Sequence, residues 1–173
     1  MQPIILLSGP VGAGKTTVAK ELIACSGEPI AYIEGDMFWS HLTGSPARLP
    51  RHKNFKMIMT AMVAAAVPYA LYGYETLLDF SIPPWFLGTV DKIVQRKEVP
   101  VDYVVLRPAG QVCAARCAGR AGGIISDYAA YLELYADFRE VGRRHVIVND
   151  DIDAVVAARQ IREGLNEGKF RLL

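Results

Sequence analysis

The chain has 173 residues and a formal net charge of +1, a length that is typical of one domain with a substantial apolar core. So small a net charge gives no bulk electrostatic basis for binding nucleic acid or an anionic membrane. The longest apolar stretch, Ala61 to Tyr72, contains Pro68 and is too short to span a bilayer. We therefore expect one cytoplasmic domain over residues 1–173, with no room for a signal peptide before the first strand.

The first predicted elements are a strand over 3–8, a glycine-rich loop and a helix over 15–25. Residues 4–7 are all apolar, which is typical of a strand buried on both faces. The loop contains Gly9, four further residues and then Gly14-Lys15-Thr16, which is the phosphate-binding pattern GxxxxGK[ST] in its required strand–loop–helix context. An ordinary glycine turn would need neither Lys15 nor Thr16, so the run predicts a nucleotide site.

The chemistry of a nucleotide triphosphate explains the residue types in this loop. Free N–H groups at the helix N-terminus attract anions, and the glycines let the backbone approach the phosphates. Lys15 is expected to reach the β- and γ-phosphates, Thr16 to ligate Mg²⁺, and Thr17 to contact the α-phosphate. ATP and Mg²⁺ are therefore the expected cofactors, and the predicted nucleotide-binding residues are Gly9, Pro10, Val11, Gly12, Ala13, Gly14, Lys15, Thr16 and Thr17.

Strand-like and helix-like segments alternate along the rest of the chain, which predicts an α/β fold with a parallel sheet and helices on both faces. Further strands are expected over 30–34, 74–79, 102–106 and 145–148. Further helices are expected over about 54–72, 84–97, 109–119, 127–141 and 152–167, with Asp127 as a cap for the helix over 127–141. Pro68 should kink the second helix or end it near Val67, while 43–54 and 118–126 are expected to be loops.

Two carboxylates follow strands at the edge of the sheet where ligands bind in open parallel sheets. Asp36 comes after the second predicted strand, and Asp79 closes the apolar third strand. The latter is the Walker B type of arrangement, in which the acid holds Mg²⁺ directly or through water. A lone aspartate after a strand is usually a turn former or a helix cap. The phosphate loop in the same sheet nevertheless favours a functional role for both Asp36 and Asp79. Thr16 and Asp79 are the expected metal ligands.

Arg116 and Arg120 are four residues apart and enter the glycine-rich stretch. Guanidinium groups stabilise charge on a transferring phosphoryl group, and a lid can carry them over the nucleotide. The alternative is a solvated basic face at a helix C-terminus. Arg107 is a weaker candidate for a nucleotide contact. For Arg48, Arg51 and Lys53, a contact with an anionic acceptor is less favoured than solvated loop charge.

Other chemistry-bearing residues carry weaker signals. The histidines, His41, His52 and His145, lack metal-ligand spacing and are interpreted as structural. The three cysteines fit a reducing compartment, and Cys25, Cys113 and Cys117 are interpreted as small packing thiols rather than a metal or redox pair. Four aromatic residues could line an acceptor pocket or pack in the core, namely Phe38, Trp39, Trp85 and Phe86.

A series of motifs spans nearly the whole chain. In order, these are SGPVGAGKTT, EGDMFW, LLDF before a Pro-Trp-Phe helix start, LRP and the paired arginines. This series resembles the small P-loop kinases, a group that includes shikimate kinase, gluconate kinase and chloramphenicol phosphotransferase. The resemblance implies a three-layer P-loop fold with sheet order 2-3-1-4-5 and a small lid over about 116–127. It also implies that Asp36 meets the acceptor hydroxyl and that Arg116 and Arg120 are the lid arginines.

The resemblance favours an ATP-dependent kinase that phosphorylates a hydroxyl of a small molecule, with Lys15, Asp36, Arg116 and Arg120 as catalytic residues. Asp36 would be the base for the acceptor hydroxyl. Phe38 stands where shikimate kinases have a second aspartate, which argues against that substrate. A nucleotide-dependent switch or ATPase without a small acceptor is the main alternative, and a binding module without catalysis is the third. The expected partner is a small-molecule acceptor, with neither nucleic acid nor a membrane.

Overall fold

A computed structural model describes residues 1–43, 51–119 and 125–172, with the side chain of Arg51 excluded. Its centre is a sheet of five parallel strands in the order β2-β3-β1-β4-β5. This is the predicted order 2-3-1-4-5. The strands are β1 (Ile4–Ser8), β2 (Ile30–Glu34), β3 (Glu75–Asp79), β4 (Val101–Leu106) and β5 (Val146–Ile147).

Helices cover both faces of this sheet. They are α1 (Lys15–Ala24), α2 (Met37–Ser40), α3 (Arg51–Leu71), α4 (Leu87–Val94), α5 (Gly110–Ala118), α6 (Leu132–Asp137) and α7 (Ala154–Asn166). Short 3₁₀ turns occupy Pro84–Phe86, Gln95–Lys97, Ala129–Tyr131 and Arg143–His145.

The alternation of side chains along β1 divides the core into two layers. Ile5 and Leu7 pack with residues of α1 and α7, whereas Ile4 and Leu6 pack with α3 and α4 on the opposite face. Because successive strand residues point to opposite faces, the continuous apolar run in β1 is buried on both sides. This is the environment that the run predicts, and it holds the loop after β1 between two packed layers.

The helix α3 begins earlier than predicted, and it continues past Pro68 to within one residue of the predicted end at 72. Residues 51–54 are helical rather than part of the expected loop over 43–54, of which 44–50 lie outside the described residues. Pro68 lies inside the helix, which continues to Leu71, and the Tyr72 N–H donates to the Pro68 carbonyl at 3.0 Å. Met62 and Ala66 of α3 are both fully buried in the core. Their packing offsets the loss of the one backbone hydrogen bond that proline removes.

By length and composition, His52–Leu71 of α3 is apolar enough to cross a membrane. This segment begins before Ala61, the start of the apolar stretch that by sequence alone is too short to span a bilayer. Met59, Met62 and Val63 of this segment are fully buried within the core formed with β1 and β3. An apolar helix packed against a sheet passes the same test of length and composition.

The predicted helix over 127–141 is shorter than expected. A 3₁₀ turn over Ala129–Tyr131 precedes α6, and α6 ends at Asp137. Asp127 accepts the Ala129 N–H at 2.8 Å in a local turn, but the N-cap residues of the 3₁₀ turn and of α6 are Tyr128 and Tyr131, so Asp127 is not the helix cap that the sequence predicts. Phe138 and Val141, which follow α6, are buried in the core. Because their burial requires the chain to change direction after Asp137, α6 ends there.

Candidate active site

The loop between β1 and α1 is enclosed by its neighbours. A Cβ atom on Gly9 would lie 2.2 Å from the Leu106 carbonyl oxygen at the end of β4, and Gly9 has a φ of +140°. A Cβ atom on Gly12 would lie 2.4 Å from the Cys113 carbonyl oxygen of α5, at a φ of +84°. Both the space and the backbone conformation therefore require glycine, and the loop is held in one shape by β4 and α5.

The Lys15 side chain lies back over this loop. Its Nζ donates to the carbonyls of Gly9 and Pro10 at 3.2 and 3.1 Å, and to the Ser81 hydroxyl at 3.0 Å. Ser81 follows β3 by two residues, so the ammonium joins the loop after β1 to the loop after β3. This places a fixed positive charge where the loop amides also gather.

Thr16 and Asp79 are brought together as the sequence predicts. The Thr16 hydroxyl donates to Asp79 Oδ2 at 2.6 Å, and the Tyr32 hydroxyl donates to the same oxygen at 3.1 Å. Burial and the adjacent Asp79 charge raise the pKa of Tyr32, so the phenol remains a donor. The carboxylate is thereby oriented by two hydroxyls at the base of the loop.

This donor set fits Mg²⁺. A carboxylate oxygen and a hydroxyl oxygen lie side by side, and Mg²⁺ prefers hard oxygen ligands, with phosphates and water completing its octahedron. Within the described ranges, no group of three or more His, Cys, Asp or Glu could hold a metal without such help. Thr16 and Asp79 are therefore the residues that would hold Mg²⁺, with phosphate oxygens and water as its further ligands.

Asp36 lies on the other side of Asp79 from the phosphate loop. Glu34, at the end of β2, is level with Asp79 in the parallel register, and the Gly35 N–H donates to the Asp79 carbonyl at 2.9 Å. Asp36 follows at the start of α2, where its carboxylate is exposed and has no hydrogen-bond partner among the described residues. The two acids thus occupy successive positions along the carboxyl edge of the sheet.

Arg116 points from α5 towards the phosphate loop. Its guanidinium donates to the Asn149 carbonyl at 2.8 Å and to the Ala13 carbonyl at 3.4 Å. Arg120 and most of the glycine-rich stretch lie outside the described residues, so the predicted pairing of the two arginines stays a prediction. Tyr128, which directly follows the predicted lid, is anchored to the loop after β1, because its hydroxyl donates to the Val11 carbonyl at 2.6 Å.

Arg107 does not reach the nucleotide site. Its guanidinium donates to the carbonyls of Phe138 and Arg139 at 3.0 and 3.1 Å, and its side chain is not part of the cavity lining. The interpretation of Arg107 as a nucleotide contact is therefore wrong, because the carbonyls at the end of α6 use the guanidinium. Arginine side chains commonly serve such helix ends.

Cys113, Cys117 and His145 have the structural roles predicted for them, whereas the prediction of a buried packing thiol is wrong for Cys25, which is exposed near the end of α1. Cys113 and Cys117 are fully buried beneath Val11 and Tyr128, and burial raises the pKa of the Cys113 thiol. His145 Nδ1 lies 2.9 Å from the Tyr103 carbonyl, and its Nε2 accepts from Arg144 at 2.9 Å. Burial lowers the pKa of His145, which agrees with this neutral pattern of one donor and one acceptor.

One cavity of about 1360 Å³ runs along the carboxyl edge of the sheet. Its volume exceeds the roughly 300–1,000 Å³ that is usual for a single small ligand, so it can hold two. One end, the phosphate end, is lined by the loop after β1 together with Arg116, Asn149 and Ile152. The other end, the acceptor end, is lined by Glu34, Asp36, Trp39, His52, Phe55, Phe80, Trp85, Tyr131, Glu133, Leu134 and Asp137.

No family model and no curated protein sequence matches the chain. Solved structures do match. An unliganded sugar kinase from Janibacter sp. is 18% identical, with a TM-score of 0.72 and coverage of 96% of this chain and 95% of the other. The Mycobacterium tuberculosis APS kinase CysC with AMPPNP and APS is 17% identical, with a TM-score of 0.70 and coverage of 95% and 98%. Kti12 from Chaetomium thermophilum with ADP-AlF3 is 16% identical, with a TM-score of 0.67 and coverage of 95% and 98%.

The chain has the fold of the small P-loop kinases. Sequence identities below 20% to these structures show a shared fold but do not identify the substrate. Within this P-loop kinase fold, the residues that the sequence interpretation missed are Tyr32, Ser81 and Asn149. Ser81 and Asn149 follow strands at the same edge as Asp36, so the strand-end rule that selected Asp36 could have found them. Tyr32 lies within β2 and becomes visible only through its contact with Asp79.

Asn149 completes the phosphate end of the cavity. It is 3% exposed, and its Nδ2 donates to the Ala13 carbonyl at 2.9 Å. Its Oδ1 has no hydrogen-bond partner in the part of the chain that the structure describes. A buried amide oxygen without a partner is costly, and a bound ligand or water can satisfy it in this cavity.

Proposed function

We propose that the protein is an ATP-dependent phosphotransferase that moves the γ-phosphate of ATP to a hydroxyl of a small molecule in the cytoplasm. The observation that carries this proposal is the single cavity that contains Lys15 at one end and Asp36 at the other. A nucleotide alone would not require the aromatic and acidic lining beyond Asp79. The kinases among the structural neighbours support the same reaction class.

ATP would bind with its phosphates in the loop of residues 9–17. The amides of this loop hold the phosphate oxygens, and Lys15 leaves some of its present oxygen partners to meet the β- and γ-phosphates. Thr17 contacts the α-phosphate. Arg116, held at the mouth of the loop by backbone carbonyls, stabilises the charge that develops during transfer.

Thr16 and Asp79 would hold Mg²⁺ at the base of the phosphate loop. When bound, Mg²⁺ supplies neutralisation of phosphate charge and alignment of the γ-phosphoryl group. The Tyr32 hydroxyl and the Thr16 hydroxyl share one oxygen of Asp79, which leaves the other oxygen available. Tyr32 therefore acts as a positioning residue that keeps the carboxylate turned towards the loop.

Asp36 would act on the acceptor. Its carboxylate accepts the proton of the attacking hydroxyl while the hydroxyl oxygen forms its bond to the γ-phosphorus. The bond from that phosphorus to the β–γ bridging oxygen breaks, and ADP leaves. Asp36 is suited to this role because its carboxylate is not engaged by another described residue and lies one strand further from the phosphate loop than Asp79.

A nucleotide-dependent switch or ATPase is the second candidate. The observation that favours it is the similarity to Kti12, whose structure contains ADP-AlF3. In that case water would take the place of the acceptor hydroxyl, and the acceptor end of the cavity would receive part of another macromolecule. A binding module without catalysis is disfavoured because Lys15, Thr16 and Asp79 are all present, with Thr16 bonded to Asp79 and Lys15 bonded to Ser81 two residues further on.

A coupled ADP-release screen tests the proposal. The panel contains sugar acids, polyols, nucleosides, and aminoglycoside and phenicol antibiotics, and mass spectrometry identifies a phosphorylated product. The expected result is ADP release that depends on one acceptor class and is lost in Lys15→Ala. ADP release at the same rate with and without every acceptor would instead support the ATPase.

A further inference from the structure

The acceptor end of the cavity carries an excess of negative charge. Glu34 and Asp36 line it from the end of β2, and Glu133 and Asp137 line it from α6. Among the described lining residues of this end, His52 is the one side chain that can carry a positive charge. Among the described lining residues of the whole cavity, Lys15 and Arg116 are the lysine and the arginine, and both contact the phosphate loop.

These carboxylates are not neutralised by ion pairs within the described parts of the chain. The two ion pairs found there join Arg162 to Glu75 and Arg171 to Asp102, and none of these four residues lines the cavity. Asp137 accepts a hydrogen bond from Trp85 Nε1 at 3.0 Å, which leaves its charge in place. An anionic acceptor would therefore meet like charge from two walls, and like-charge contact opposes binding.

Aromatic rings complete the same end. Trp39, Phe55 and Tyr131 line it together with Phe80 and Trp85. Trp85 is 54% exposed and is held in place by its bond to Asp137. Aromatic faces attract organic cations as well as the apolar face of a sugar ring, and an exposed ring beside carboxylates is a common way to bind a protonated amine.

We infer that the acceptor is a hydroxylated organic cation, such as an amino sugar or an amino alcohol. This inference rests on the proposed phosphotransferase function. The protonated amine lies among Glu34, Glu133 and Asp137, while a separate hydroxyl faces Asp36 and the γ-phosphate. That hydroxyl is the nucleophile and gives its proton to Asp36, the γ-phosphoryl group moves to its oxygen, ADP leaves, and the amine keeps its charge throughout.

Binding can be measured without turnover because both tryptophans of the chain, Trp39 and Trp85, line this cavity. Tryptophan fluorescence is titrated, with a non-hydrolysable ATP analogue and Mg²⁺ present, against matched triplets that carry an amine, a hydroxyl or a carboxylate at one position. Glucosamine, glucose and gluconate form one triplet, and 2-aminoethanol, ethylene glycol and glycolate form another. We expect the cation of a triplet to bind roughly tenfold or more tightly than its neutral and anionic counterparts.

Charge variants of Glu133 provide the second measurement, because Glu133 has no part in the transfer itself. Glu133→Gln should weaken binding of the cation roughly tenfold and leave binding of the neutral counterpart unchanged. Glu133→Lys should shift the preference towards the carboxylate. Glu163→Gln on the exposed part of α7, outside the cavity, is the matched control, and thermal unfolding shows whether each variant is folded.

The outcomes separate the two proposals. Tight, Glu133-dependent binding of a cation without any phosphorylated product would support a cation site at this end of the cavity and overturn the proposed phosphoryl transfer. Phosphorylation of neutral or anionic acceptors alone would support the proposed function and overturn this inference. Equal binding across every triplet, or a cation preference that Glu133→Gln and Glu133→Lys leave unchanged, would also overturn it.

Discussion

At the scale of single residues, the candidate site depends on a few hydrogen bonds that bring distant parts of the chain together. Thr16 and Asp79 are 63 residues apart and share a bond of 2.6 Å. Lys15 and Ser81 are 66 residues apart and share a bond of 3.0 Å. Each pair joins the loop after β1 to the end of β3, so the phosphate site and the metal site are parts of one arrangement.

Asp79 is predicted to act on the metal side of the reaction. Asp79→Asn keeps the size of the side chain and its bond to Thr16 but removes the charge that Mg²⁺ needs. The affinity for Mg²⁺·ATP, measured by calorimetry, should fall roughly tenfold to a hundredfold, while binding of metal-free ATP should change little. Asp91→Asn on α4, outside the cavity, is the control, and unchanged Mg²⁺ dependence in Asp79→Asn would refute the assignment.

Arg116 is predicted to act on the phosphoryl group in transfer. Because its guanidinium is held by the carbonyls of Ala13 and Asn149, it is positioned before the nucleotide binds. Arg116→Ala should lower kcat by roughly tenfold to a thousandfold through lost charge stabilisation. Arg159→Ala, an exposed position of α7, should leave kcat unchanged. A normal kcat in a folded Arg116→Ala protein would show that the guanidinium has only a packing role.

At the scale of elements, α5 does two things at once. One of its faces presents the buried thiols of Cys113 and Cys117 to the phosphate loop, and the next face carries Arg116 to the mouth of the same loop. The shape of the loop and the position of the arginine are therefore linked through one short helix. This linkage also explains why the helix has two small thiols where larger side chains would displace the loop.

Gly12→Ala is predicted to disturb the loop and α5 together. The new methyl group would lie 2.4 Å from the Cys113 carbonyl oxygen and 2.8 Å from Cys117 Sγ. We expect a loss of about 1–3 kcal/mol in the free energy of unfolding from overpacking and weaker ATP binding, measured by urea unfolding and calorimetry. Gly88→Ala, where nothing lies within 4 Å, is the control, and wild-type stability and affinity in Gly12→Ala would contradict this account.

Local sequence patterns predict some of the secondary-structure elements and not others. The run from Ile4 to Thr16 predicts β1, the loop and α1 because burial on both faces, glycine spacing and helix propensity agree there. The start of α3 and both ends of α6 differ from the prediction, and packing of Phe138 and Val141 in the core, rather than local propensity, decides where α6 ends. The contacts of Tyr32 and Ser81 follow from strand register, which a single sequence does not reveal.

At the scale of the whole molecule, two packed layers hold the sheet, and the cavity opens along one edge of it. His145, 8% exposed, lies where β5 meets β4 and links that side of the sheet to Tyr103. Its neutral form is the one that its two hydrogen bonds require. Protonation of this ring would therefore act against the folded state as a whole.

Stability is predicted to fall as the pH drops below the ordinary histidine pKa of 6.5. Burial lowers the pKa of His145 in the folded protein, so the unfolded chain takes up a proton that the folded chain does not, and acid favours unfolding. Urea unfolding at pH 7.5 and pH 5.5 should show a larger loss of stability in the wild type than in His145→Gln. An equal loss in both proteins would mean that His145 does not contribute to the acid sensitivity.

The central claim is that the cavity joins a nucleotide end to an acceptor end, with Asp36 acting on the acceptor. The most direct test is Asp36→Asn, assayed for phosphorylated acceptor in a single turnover and for Mg²⁺·ATP affinity by calorimetry. Transfer to the acceptor should be lost while Mg²⁺·ATP affinity stays at the wild-type value, because a base acts on the acceptor side alone. Full transfer by Asp36→Asn, together with loss of transfer but intact Mg²⁺·ATP binding in Asp79→Asn, would contradict it and reverse the roles of the two acids.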